Sequence, residues 1–472
     1  MNGRPETDTH PGVPGAAARP AAAPDPVVST WGDEPPAAAP PTATVRRRHV
    51  FFLPGFDRKL PRYYQVLYRN EARKQAAVSP LSFEVDRPAA GDRDSSAWQV
   101  RARTADGQMV DTRIEVLRWD DIVARHWPEG AWPVLRDGAR TVAWGLADGA
   151  VQRMFALYRP PVYAVCFPLV LMLLAALLAV AAGVGTAAGL RTMAAVPTWA
   201  AAGLGGALAL LLCLGALQAV HRLQMTWLLR LVRFSHRQAE GRVAGLDERL
   251  QAFADRIAEV LSSAPAGPGA PPPTGPADAA ERPDEVLLVG HSVGATLAVG
   301  VAARLLDRVP ALAGAAADAP AAVGDASRQS SVPPFAMLSL GHCIPLLSAL
   351  SPAAALRADL LRVSRSAIPW LDVSAPIDWV AFPAVDPVTG AGLPAAPPGW
   401  HPRLVSPRFH QLFGPEAYAR LKRNRFRVHL QYLMASQRAG QYDYFALTAG
   451  SQRLVERYAE APGGQAPGAG PE

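Results

Sequence analysis

Gly290-His291-Ser292-Val293-Gly294 sets a serine midway between two glycines. A serine hydroxyl is a weak nucleophile until a base takes its proton, so the chemistry it points to is acyl transfer through a covalent intermediate. The flanking residues suit that use. Val286-Leu287-Leu288-Val289 reads as a short buried strand entering the motif, and residues 295–306 (ATLAVGVAARLL) read as a helix leaving it. On so sharp a turn the hydroxyl projects above the sheet, and the glycines remove side chains that would collide there. The competing reading is a plain strand-to-helix turn with an incidental serine.

Other reactive side chains form no comparable group. His342-Cys343 lacks a third partner and reads as packing. Asp120-Asp121 has no companion cluster for a metal and reads as a loop or helix cap. Tyr442-Asp443-Tyr444-Phe445 reads as a core or interface cluster. There is no phosphate-binding loop, dinucleotide fingerprint or zinc-ligand spacing, so neither cofactor nor metal is expected.

The elements that must position the serine follow from patterning. Residues 1–45 are Pro/Ala-rich and are expected to be disordered. His49-Val50-Phe51-Phe52-Leu53 reads as a buried strand ended by Pro54-Gly55, and residues 63–75 as a helix. Residues 98–103 and 112–117 flank the turn signal Ala105-Asp106-Gly107, which suggests a hairpin. Residues 221–263 are expected to hold an amphipathic helix, with Leu246, Leu250, Phe253, Ile257 and Val260 at helical spacing, packed on the sheet. Residues 264–283 form a Pro/Gly/Ala linker, low complexity returns over 311–334, and 460–472 is a disordered tail. Strands at 335–340 and 370–373 with a helix near 353–362 between them imply parallel strands joined by crossovers. The expected fold class is therefore α/β, a mostly parallel sheet flanked by helices, assembled from 46–158 and 284–459.

Composition excludes several classes. The chain has 472 residues, half of them hydrophobic, 18% charged and only three cysteines. Such a chain is neither wholly disordered nor a disulfide-stapled secreted domain. The net charge of +7 comes mainly from scattered arginines, with no basic stripe, so nucleic acid is not an expected partner. The apolar residues concentrate instead. Residues between Arg159 and Arg191, and again between Arg191 and His221, carry no charge, and each stretch exceeds the ~20 apolar residues needed to cross a bilayer. A transmembrane hairpin over 160–220 is expected. Arg136, Arg140, Arg153 and Arg159 precede it and Arg222, Arg230, Arg233, Arg237 and Arg242 follow, whereas the connecting loop holds only Arg191. The positive-inside rule then puts both flanks and both termini in the cytoplasm of an inner membrane. Small residues such as Gly203, Gly205, Gly206 and Gly215 allow close helix approach, including association between copies.

With its GHSVG motif between strand and helix, the chain resembles the α/β-hydrolase superfamily, in its esterase/lipase type, over about 47–125 and 284–458. The resemblance implies that Ser292 is the nucleophile and that the Val293 backbone N–H donates to an oxyanion. It assigns the second donor to a loop after an early strand, here Leu53-Pro54-Gly55-Phe56-Asp57, with Phe56 the matching residue; the HGGG form of that loop is absent. It further implies an acid and then a histidine, in that order, after the serine. The acid's usual place past a late strand favours Asp378 over Asp372, inside the strand, and Asp386, farther on; Ser374-Ala375-Pro376-Ile377-Asp378 is also similar to the acid loop of class 3 lipases. His401, His410 and His429 are all available as the base, and His429, 51 residues beyond Asp378, is preferred. The function this implies is a membrane-anchored serine hydrolase of carboxylic esters, its substrate a lipid or lipid-like acyl ester. The rival from another class is a membrane scaffold that keeps the fold without the chemistry.

Overall fold

Apolar runs without alternation become strands buried on both faces, and alternating runs become strands with one face in water. The computed structural model describes residues 45–87, 96–193, 196–222, 227–262, 282–314, 332–395 and 402–457. The N-terminal stretch up to residue 44, most of the 264–283 linker, residues 315–331, His401 and the tail from 458 lie outside the described residues. Val45, assigned by composition to the disordered stretch, is instead fully buried, with its N–H donated to Ser451 O at 2.8 Å.

The first half runs β1 (Arg47–Leu53), α1 (Pro61–Gln75), β2 (Ser82–Val85), β3 (Ala97–Arg103) and β4 (Met109–Val116). A helical insert follows: α2 (Asp120–Arg125), α3 (Ala131–Ala147), α4 (Ala150–Leu157), α5 (Arg159–Met193), α6 (Thr198–Arg222), α7 (Trp227–Ala239) and α8 (Leu246–Ser262). The second half holds β5 (Glu285–His291), α9 (Val293–Arg308), β6 (Phe335–Leu340), α10 (Pro345–Ser348), α11 (Ala354–Ser364), β7 (Trp370–Val373) and β8 (Arg403–Val405). Short helices close the chain: α12 (Phe409–Leu412), α13 (Pro415–Arg423), α14 (Arg425–Leu430), α15 (Tyr444–Ala449) and α16 (Leu454–Arg457).

The eight strands form one sheet in the order β2-β3-β4-β1-β5-β6-β7-β8. Six of them, from β4 to β8 across the sheet, run parallel, and β3 is antiparallel to both β2 and β4. In β3, Trp98, Val100 and Ala102 turn inward and Gln99, Arg101 and Arg103 turn out, as the half-buried edge of a sheet requires. Within β1 and β5 successive residues feed opposite cores: Phe51, Leu53 and Leu288 pack with α8, α9 and α11, whereas Val50, Phe52 and Leu287 pack with α1 and α15. The helices after β1 and β5 thus cover opposite faces. In such a sheet a crevice opens beyond the carboxyl ends of the two adjacent strands.

The helices α5 and α6 are long and apolar enough to cross a membrane, with mean hydropathies of 2.8 and 2.1 over an 18-residue stretch of each. Only 17% and 11% of those windows are buried, and Leu178, Trp199 and Leu211 are largely exposed. The two pack closely where a Cβ on Gly183 or Gly205 would strike the other's carbonyl oxygen. The amphipathic helix expected within 221–263 is α8, and a second helix, α7, precedes it. Gly241 (φ 67°) and Gly245 (φ 78°) adopt backbone that other residues rarely take, and the chain breaks there between α7 and α8. Helix α8 packs on α9 as its apolar stripe requires; α7 lies against α3 and α10.

Candidate active site

The strand β5 ends at His291 and α9 starts at Val293, so the chain reverses over Ser292 alone. Its backbone sits at φ 59°, ψ −123°, a region that costs a non-glycine residue about 1–3 kcal/mol. A Cβ on Gly290 would lie 2.6 Å from Ala295 Cα, and one on Gly294 would overlap the Leu53 carbonyl oxygen, so only glycine lets α9 seat on β5 and β1. The turn is fixed by Ser292 N–H donating to Leu340 O at 2.9 Å and Ala295 N–H donating to Ser292 O at 3.0 Å.

Two side chains from distant segments meet the hydroxyl. His429, near the end of α14, has Nε2 2.8 Å from Ser292 Oγ, and its Nδ1 is 2.8 Å from Asp378 Oδ2. A carboxylate only accepts, so the proton sits on Nδ1 and Nε2 is left to accept from the serine. Asp378 follows β7 in a turn closed by its own N–H to Ala375 O. It is fully buried. Burial alone would raise its pKa, but His429, the Val380 N–H at 3.0 Å and the Tyr432 hydroxyl at 3.1 Å together hold the carboxyl below its ordinary value.

A further set of contacts holds His429 in place. His291 Nε2 donates to the His429 carbonyl at 2.8 Å, which ties the residue before Ser292 to α14. Burial pushes the His291 pKa down to about 3, so its ring stays neutral. The Tyr432 hydroxyl accepts the Ala375 N–H at 2.9 Å and bridges the acid loop to the helix end. Cys343 lies 3.6 Å from Ser292 Oγ, and burial pushes its thiol up to about 12, so it packs beside the serine as a neutral group.

The loop after β1 runs beside the serine: a Cβ on Gly55 would come within 3.1 Å of Ser292 Cβ. Asp57 anchors this loop by accepting from the Tyr64 hydroxyl at 2.6 Å and the Lys59 N–H at 3.0 Å. Phe56 buries its ring among Trp119, Trp127 and Phe234. Neither the Phe56 nor the Val293 amide finds an acceptor among the described residues, which leaves both free to donate to a ligand oxygen. Trp227, the first residue of α7, donates to Phe56 O at 3.4 Å and stands 5.8 Å from the His429 ring. The insert therefore roofs the site: Ser292 is 2% exposed and His429 4%.

The other sequence candidates sit elsewhere. Asp372 accepts from the Ser339 and Ser374 hydroxyls inside the sheet, and Asp386 accepts from the Val388 and Thr389 N–H groups. His410, on α12, contacts Tyr418 and takes no part in the Ser292 cluster. Asp120 pairs with Arg118 and Asp121 with Arg249, and no group of metal-ligating side chains occurs among the described residues. Sequence reasoning missed Tyr432, although its place three residues after His429 was a usable signal, and it missed Trp227, for which no local signal exists.

No family model, curated protein or solved structure matches this chain. A functional reading therefore rests on the arrangement itself.

Proposed function

We propose that this chain is a serine hydrolase of α/β-hydrolase type, anchored in a membrane by α5 and α6, that cleaves a carboxylic ester with a lipid-like acyl group. One observation carries the reading: Ser292 Oγ, both ring nitrogens of His429 and Asp378 Oδ2 form a continuous chain at 2.8 Å per link. In the reaction His429 Nε2 takes the Ser292 proton as Oγ bonds to the ester carbonyl carbon. The negative oxygen that forms accepts hydrogen bonds from the Phe56 and Val293 amide N–H groups, stabilisation commonly worth about 3–4 kcal/mol per donor. Imidazolium returns the proton to the departing alkoxide as the carbon–oxygen bond breaks. Water, deprotonated by the same nitrogen, then releases the acid; an alcohol in its place would make the reaction a transfer.

The anchored half of the reading is supported by the exposed apolar faces of α5 and α6 and by the arginines on their flanks, which favour a cytoplasmic catalytic body and a short outer loop. The test is covalent. A fluorophosphonate should label the full-length protein at Ser292, and Ser292→Ala should abolish labelling. A folded wild type that resists the probe would favour an inert scaffold.

A further inference from the structure

Where α13 gives way to α14, residues 422–427 (KRNRFR) are all exposed and none is acidic. Lys422, Arg423, Arg425 and Arg427 meet no carboxylate among the described residues. Lys59, from the loop after β1, joins them: its Nζ lies 5.9 Å from the Phe426 ring centroid, and Asp57 is 3.9 Å away. Apolar groups stand among these cations. Phe426 is 43% exposed, and Trp379, the residue after Asp378, is 38% exposed. The Arg425 guanidinium lies 3.8 Å over the Trp379 ring. A guanidinium stacked on its face keeps its N–H edge for a phosphate. Exposed rings among unpaired cations are out of place in water and ordinary at the headgroup level of a bilayer.

The patch also lies beside the roots of both apolar helices. Tyr158, the residue before α5, donates its hydroxyl to Pro376 O at 3.2 Å, in the same loop as Trp379. Trp227, five residues after the end of α6, stands 5.6 Å from the Phe426 ring. Two residues on, Leu229 is buried in one small core with Val165, and Leu169, Met172 and Leu217 of α5 and α6 pack against that core. The exposed apolar face of α5 starts at the same height, where Phe167 and Val170 are about half exposed. Phe426 is therefore held, through Trp227, next to the level at which α5 and α6 would enter lipid.

We infer that residues 422–427, with Lys59 and Trp379, are a docking surface for the anionic headgroups of the bilayer that holds α5 and α6. The inference rests on the anchored reading and is independent of the chemistry at Ser292. Its partner is lipid phosphate in a packed surface, where the rings enter the headgroup layer and the cations beside them meet phosphates. Each Lys or Arg close to an anionic leaflet favours the docked state by roughly fivefold. Salt screens that attraction beyond about 10 Å at 0.1 M. Docking therefore depends on lipid charge and on salt, which hydrophobic insertion of α5 and α6 does not.

The experiment places full-length protein in lipid discs, one copy per disc, of phosphatidylcholine alone or with about a third phosphatidylglycerol. A fluorescent dye is attached at Lys422→Cys, with the partly buried thiols Cys166 and Cys213 replaced by alanine. A reference chain carries the dye at Asp106→Cys, on the exposed turn before β4, at the end of the sheet opposite Ser292. Acrylamide quenching at 422 should fall at least about threefold when phosphatidylglycerol is present, recover at high salt, and stay unchanged at 106. Arg423→Glu combined with Arg425→Glu should abolish the fall while circular dichroism and quenching at 106 keep their wild-type values. Equal quenching in the two lipids, or a fall that charge reversal leaves intact, overturns the docking surface. So does an equal fall produced by soluble glycerol phosphate in phosphatidylcholine discs, which would make the patch a site for free phosphate. Protein that stays outside the discs overturns the anchored reading instead.

Discussion

Replacing Asp378 by asparagine tests the proposed chemistry at its most buried point. The carboxylate has no exposure, and its two oxygens serve different donors: Oδ2 takes His429 Nδ1–H and the Tyr432 hydroxyl, Oδ1 the Val380 N–H. An amide of the same shape fills the same space as the carboxylate. The charge matters only when His429 has taken the serine proton and a buried imidazolium faces the acid. Breaking such a buried pair by removing one charge costs about 3–5 kcal/mol, and each 1.36 kcal/mol is about tenfold in rate. The expected fall in kcat is therefore between about a hundredfold and several thousandfold. The backbone adds to it, because the Val380 N–H draws the amide oxygen to the Oδ1 position and turns the NH2 toward His429. That favours the tautomer with a proton on Nε2, which cannot accept from Ser292. The assay is hydrolysis of a soluble p-nitrophenyl ester by full-length protein, with circular dichroism confirming the fold. Asp378→Asn with kcat within about threefold of wild type would refute the assignment of the carboxylate to the reaction.

Two further outcomes follow from the same geometry. His291 has a folded pKa of about 3 against an ordinary value of 6.5, so between those values the unfolded chain binds a proton that the folded chain refuses. Its contribution is fully present above pH ~6.5 and is lost as the pH falls, by about 2 kcal/mol between pH ~7.5 and ~5. His291→Gln keeps a donor toward the His429 carbonyl and should remove that portion of the pH dependence, read as the wild-type minus variant difference in urea stability at the two pH values; equal slopes would contradict it. Gly294→Ala sets a Cβ on the Leu53 and Pro54 carbonyls. Separating α9 from β1 should cost about 1–3 kcal/mol or more and slow fluorophosphonate labelling at least tenfold, and an unchanged labelling rate would show that the turn tolerates a side chain.

Much of this was legible because the deciding signals are local. Val50-Phe51-Phe52-Leu53 and Val286-Leu287-Leu288-Val289 carry no polar alternation, which marks strands covered on both faces, and they lie side by side at the centre of the sheet. The glycines around Ser292 announce a turn that only they permit. The preference for Asp378 and His429 came through resemblance, and the structure brings those two to Ser292 while Asp372 and His410 go elsewhere. What stayed hidden is non-local. Nothing in the sequence near residue 227 says that its indole will rest on His429, because that contact depends on how the insert folds back over the sheet. The helix α7 was not read from the sequence, although Gly241 and Gly245, with their left-handed backbone, mark where it ends before α8. The strand β8, three residues long, has too little pattern to be seen at all.

The rival reading, an inert scaffold, has to account for features that burden the fold. Ser292 holds a backbone conformation that an ordinary strand-to-helix turn has no need of, and Gly290, Gly294 and Gly55 give up side-chain packing to admit it. Asp378 is a carboxylate kept below its normal pKa with no exposure and three donors aimed at it, although an apolar residue would have spared the desolvation of a charge. A scaffold gains nothing from any of these, and each would drift to a more stable choice if only the fold were under selection. The roof is consistent with use as well. Trp227 opens α7 and stands beside His429, so a helix of the insert also covers the site.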